Sequence, residues 1–153
     1  MIISRVVSLF LRFGQFVCAA VCLGISAHFL HEYYESEPHT GPNGREIYTI
    51  IIAALSLLMS LVWLIPFTST FFHYPFDFLL SLAWFAAFGV LVNWVHRANC
   101  GGAFHWGGIT HNNYCSKWKA NEAFAFISAC FWLASAILVR LEQTRPSYNL
   151  RIF

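Results

Sequence analysis

Phe76-Asp77-Phe78-Leu79-Leu80-Ser81-Leu82-Ala83-Trp84-Phe85-Ala86-Ala87-Phe88-Gly89-Val90-Leu91-Val92-Asn93-Trp94-Val95 contains one ionisable side chain, Asp77. A helix rises 1.5 Å per residue, so this run covers about 30 Å, the thickness of a bilayer's hydrocarbon core. Three more stretches reach that length outward from it: Val6 to Leu30, Ile47 to Ile65, and Ala120 to Val139. The expected fold class is therefore an all-α membrane protein: a left-handed antiparallel four-helix bundle built from one four-span domain over residues 1–153.

Composition excludes the soluble alternative. Of 153 residues, 58% are hydrophobic and only 10% charged, against about 25% charged in soluble domains. Seven acidic and nine basic side chains cannot cover the surface of such a chain, so lipid is the missing solvent. A net charge of +2 from scattered residues excludes a nucleic-acid partner. The apolar stretch after the basic start runs past Gly24 without a small-residue cleavage site, so it is expected to be a retained span. Position 2 is Ile2, and the C-terminal Leu150-Arg151-Ile152-Phe153 lacks a prenylation cysteine, so no lipid anchor is expected. Arg12, near the start of span one, is expected to snorkel to the interface.

The link from Pro66 to Pro75 is short and bracketed by prolines, which resist helix interiors, and it predicts a tight turn between antiparallel spans two and three. Arg5, Arg12, Arg140, Arg145 and Arg151 lie on the side of the termini, and Arg45, Arg97, Lys117 and Lys119 lie on the other. That bias, with Cys100 and Cys115 together in the third link where thiols oxidise outside the cytosol, places both termini and the 66–75 turn in the cytosol. The expected location is the plasma membrane or secretory-pathway vesicles.

Cys100 and Cys115 flank a glycine-rich aromatic loop and are expected to form a disulfide; two free thiols, or a metal pair with His105 and His111, are the alternatives. The bond would hold Trp106 and Trp118 at the outer interface, where amphipathic rings prefer to sit. Cys18, Cys22 and Cys130 fall inside spans and are expected to be packing residues. His28, His31, Glu32 and Glu35 share one helix face; metal binding is one reading, and a helix meeting headgroups and water is the other. Asp77 and Glu122 stand in the first turns of spans three and four. There the helix dipole favours a carboxylate, so anchoring at the membrane boundary is expected rather than ion transfer, and Asp77→Asn is expected to have a modest effect. Ala20 with Gly24, Ser56 with Ser60, Ala83 with Ala87, and Ala125 with Ala129 repeat small residues at four-residue spacing, expected mainly to pack the bundle. No catalytic constellation and no cofactor site is visible.

Asp77-Phe78-Leu79-Leu80 leading to Trp84, the pair Cys100 and Cys115, and Trp118-Lys119-Ala120-Asn121-Glu122-Ala123-Phe124-Ala125-Phe126 give the chain a further likeness. It resembles the MARVEL-domain tetraspan membrane proteins, in particular the small fungal members, over nearly its whole length. The resemblance implies a non-enzymatic role in organising membrane: association with specialised, sterol-rich regions and vesicle membranes, with their lipids, and with other copies. A structural organiser that self-associates as a homo-oligomer is the leading expectation. A transporter or channel oligomer using Asp77, His28 or Asn93, and an accessory subunit with a membrane-protein partner, are the alternatives.

Overall fold

A computed structural model describes residues 2–35, 43–64, 73–101 and 114–149. These form four helices: α1 (Ile2–Glu35), α2 (Asn43–Leu64), α3 (His73–Arg97) and α4 (Tyr114–Asn149). Among the described residues there is no strand, and each helix is long and apolar enough to cross a membrane. The 34 residues of α1 and 36 of α4 reach about 50 Å, beyond the hydrocarbon thickness, so both project past it.

The expected spans lie in these helices except for Ile65, which is outside the described residues, and several boundaries shift. Pro75 is the third residue of α3 rather than the end of a linker; in a first turn its missing N–H has no intrahelical acceptor to lose. Residues 65–72 of that link lie outside the described residues. α4 begins at Tyr114, so Cys115 and Trp118 belong to a helix and not to a loop.

The helices pack as a ring in which each follows the last with reversed direction. Along α1, Gln15, Cys22 and Phe29 meet Phe131, Asn121 and Trp118 of α4 in descending order. Asp77, Ser81, Phe85 and Trp94 of α3 meet Ser135, Ala129, Phe126 and Trp118 in the same way. Trp84 and Trp132 are fully buried, and Ala19, Ala53, Ala87, Ala125 and Ala129 beside them allow close backbone approach. In lipid, where helices gain nothing from hiding apolar surface from one another, such packing and interhelical hydrogen bonds hold the bundle. The Trp84 indole N–H donates to Ser56 Oγ at 2.9 Å, and Ser81 Oγ donates to the Ala129 carbonyl at 3.0 Å.

The pairs Ser56/Ser60 and Ala125/Ala129 are buried and Ala83/Ala87 largely so, as internal packing requires. Ala20 and Gly24 are the exception and face outward. At Gly14, α1 lies close against a side chain of α4: a Cβ there would stand 3.0 Å from the Phe131 ring, whereas one on Gly24 would meet nothing within 4 Å. Gly14→Val is therefore expected to destabilise by about 1–3 kcal/mol through overpacking. Gly24→Ala should be neutral or stabilising by up to about 1 kcal/mol through helix propensity. Thermal unfolding of the two variants in one detergent measures the contrast, and equal shifts would contradict the close approach.

α3 closes with a left-handed cap. Asn99 has φ 54°, the Asn99 N–H donates to the His96 carbonyl at 3.3 Å, and the Cys100 N–H donates to the Val95 carbonyl at 3.1 Å. This Schellman arrangement turns the chain over the helix end, and Gly101 continues it at φ 115°. Cys100 is thereby brought to Cys115, in the first turn of α4, and the two form a disulfide with Cα atoms 5.5 Å apart.

Candidate functional site

The polar residues of the spans gather in two clusters inside the bundle, one near each end. At the end where α1 and α3 begin, Arg12 is not a snorkelling side chain. Its guanidinium points into the bundle and grips Asp77 as a two-pronged fork, Nη1 to Oδ1 at 3.1 Å and Nη2 to Oδ2 at 2.9 Å. Ser135 Oγ of α4 donates to the same Oδ2 at 2.6 Å. Arg12 Nη1 also donates to Gln15 Oε1 at 3.0 Å, Gln15 Nε2 donates to the Phe131 carbonyl at 3.3 Å, and the guanidinium carbon lies 5.8 Å from the Trp132 ring centroid. Arg12 is 7% exposed and Asp77 fully buried. A charge inside a span is costly unless paired, and here α1 supplies the cation, α3 the anion and α4 a donor.

Asp77 is thus a tertiary contact more than a helix-dipole anchor. Glu122 also departs from its expected place. α4 begins eight residues before it, so it sits about 12 Å inside the helix and is buried, beyond the first turn in which the dipole acts.

At the opposite end, Ser26 of α1, Glu46 of α2 and Asn121 of α4 come together. Asn121 Nδ2 donates to Ser26 Oγ at 2.9 Å, the Ser26 hydroxyl faces Glu46, and Cys22 Sγ lies 4.0 Å from the Asn121 carbonyl. All four residues are buried. Above them Trp118, 2% exposed, stacks on Phe29 with ring centroids 4.7 Å apart and lies 6.0 Å from Trp94. Trp118 therefore packs inward instead of forming an interfacial belt, because its place on α4 faces α1 and α3. Trp106, His105 and His111 lie outside the described residues.

The rim cluster pairs internally. His28 Nε2 is 3.5 Å from Glu32, His31 Nδ1 is 3.6 Å from Glu35, and Lys117 of α4 reaches His28 at 2.7 Å and Glu32 at 3.5 Å. All are at least partly exposed, and among the described residues no three His, Cys, Asp or Glu side chains gather as a metal cluster. Of the residues named for the channel alternative, Asp77 is enclosed by Arg12 and Ser135, while His28 and Asn93 are exposed.

What the geometry defines is a four-helix unit whose polar chemistry is turned inward and bonded helix to helix, with a broadly apolar outer surface. The family model of the MARVEL membrane-associating domain matches residues 5–138, from before the Arg12 cluster to beyond its Ser135 partner. The chain belongs to the MARVEL family. No curated protein matches it significantly. Within this MARVEL domain the Arg12–Asp77 fork joins α1 to α3 at one end, and the Cys100–Cys115 bridge joins the end of α3 to α4 at the other. A membrane-associating domain with four apolar helices is an integral multi-pass membrane protein, and that family membership is consistent with a membrane-organising role.

Sequence reasoning missed Arg12, Gln15, Ser26, Glu46, Asn121 and Ser135 as partners. The available signal was spacing. Arg12, Gln15, Ala19, Cys22, Ser26 and Phe29 recur at alternating intervals of three and four, and all are buried. Glu46, Thr49, Ala53, Ser56 and Ser60 repeat that pattern on α2. In a soluble helix such a stripe is apolar; here small and polar residues mark the inside because lipid takes the apolar ones.

Proposed function

We propose that this MARVEL chain is a structural organiser of membrane regions or vesicle membranes that associates laterally with copies of itself. The observation that carries this reading is the outward face of α1. Ala20 and Gly24 are not used inside the bundle, and they sit one turn apart on a surface flanked by exposed Phe13 and Val17. Two small residues at that spacing let a second helix backbone approach closely, which is how helices associate in lipid. Lipids, sterol among them, are the natural company of the remaining apolar surface. The proposed location is the plasma membrane or secretory vesicles, with both termini cytosolic. That orientation rests on oxidation of Cys100 and Cys115.

Cross-linking in native membranes tests the lateral contact. Ala20→Cys, made with Cys130→Ser to remove an exposed thiol, is expected to give a dimer on mild oxidation. Leu79→Cys and Ile137→Cys, on other outward faces, should give far less. Monomer alone at Ala20→Cys would overturn the α1 contact.

A further inference from the structure

The two buried clusters differ in one respect. Asp77 has a cation from its own chain, and among the described residues Glu46 has none. Glu46 is 4% exposed, and neither carboxylate oxygen has a hydrogen-bond partner within bonding distance. Among the described residues no ion pair reaches it. The basic side chains nearby are turned elsewhere: Arg45 points to the Val90 carbonyl at 3.4 Å and lies over the Trp94 ring at 5.5 Å, while Lys117 holds His28 and Glu32. Asn121 Oδ1, fully buried, also lacks a partner, because the amide uses its nitrogen on Ser26.

Three acceptor oxygens on two helices, joined through Ser26 of a third, are thus without a positive charge among the described residues. Water alone would satisfy lone pairs but leave the carboxylate charge uncompensated in a buried setting, which is expensive. We propose that Ser26, Glu46 and Asn121 form a binding site for a small cation, sodium or a proton, at the end of the bundle where α1 ends and α2 and α4 begin. Hard cations select oxygen donors of this kind, and the occupant ties α1, α2 and α4 together as Arg12 ties α1 and α3 at the other end. Among the described residues the titratable groups facing the site are few. Cys22 faces Glu46 from α1, with Cys18 a turn further in. Asn121 joins it from α4 through Ser26, and Lys119 and Glu122 occupy the same buried stretch of α4. The charged groups of α3 at this end, His96 and Arg97, are exposed.

The full-length protein in detergent or nanodiscs tests this by thermal unfolding, with choline replacing sodium at constant ionic strength and with pH varied separately. A sodium site raises the wild-type Tm by about 3–6 °C for each tenfold increase in sodium once the site is filling, and Glu46→Gln abolishes that dependence. A proton site leaves sodium without effect, and the wild type gains stability on acidification relative to Glu46→Gln. Asn121→Leu, which removes one oxygen and keeps the carboxylate, weakens whichever dependence is found and serves if Glu46→Gln does not fold. A wild-type Tm that responds to neither sodium nor acid overturns the proposal.

Discussion

Asp77→Asn is expected to lower the stability of the bundle by about 3–5 kcal/mol, the cost of leaving one member of a buried ion pair uncompensated. The sequence alone suggested a much smaller effect, because a carboxylate near a helix start gains only about 0.3–1 kcal/mol from the dipole. The larger magnitude wins because Asp77 receives both prongs of the Arg12 guanidinium and the Ser135 hydroxyl within 3.1 Å, and none of these groups reaches water freely. An amide in its place keeps an acceptor but removes the charge that balances Arg12. Arg12→Met should be comparably harmful, since it strands the carboxylate. The double variant Arg12→Met with Asp77→Asn removes both charges and is expected to recover much of the loss, as replacement of whole buried pairs commonly does. Unfolding by SDS titration in mixed micelles measures all three, and additive losses in the double variant would show that the two residues do not act as a pair.

Removing the Cys100–Cys115 bridge is expected to cost about 3 kcal/mol. The separation is 15 residues, and closing a loop of that length restricts the unfolded chain by roughly that amount in the chain-entropy model. The native geometry requires little distortion, because the left-handed cap at Asn99 already turns Cys100 over the end of α3 toward the first turn of α4. The bridge also closes the end of the bundle at which Phe29, Trp94 and Trp118 pack together. Cys100→Ser with Cys115→Ser should therefore lose stability and loosen the Trp118 environment, visible as a change in tryptophan fluorescence. Intact mass without reduction should be lighter than the reduced protein by two hydrogens. Cys18, Cys22 and Cys130 should remain available to alkylation after unfolding. Free thiols at both Cys100 and Cys115 in protein taken from its own membrane would overturn the bridge, and the case for cytosolic termini would fall with it.

What was legible in the sequence was what lipid demands of any chain. A spanning segment must be apolar over about 20 residues and must satisfy its backbone internally, so length and composition alone specify four helices. The disulfide was legible for a similar reason, since Cys100 and Cys115 were the only cysteines outside the expected spans. The membership of MARVEL was legible in the run from Asp77 to Trp84 and in the stretch around Trp118.

The partners of the buried polar groups were not legible, because a partner is a relation between helices and no property of one segment records it. Arg12 beside an apolar run is equally compatible with snorkelling to headgroups or with an inward fork. Only the packing of α1 against α3 and α4 decides, by placing Asp77 and Ser135 within reach. Trp118 is the same case, since an amphipathic ring suits an interface or a core equally, and it became a core residue when α4 began at Tyr114 and aligned it with Phe29. The sequence by itself determined that the chain crosses the membrane four times, because transfer into hydrocarbon depends on each segment's own composition. The tertiary structure decided which polar side chains are paired, Asp77 with Arg12, and that Glu46 meets no cation among the described residues, because interhelical distances set those pairings.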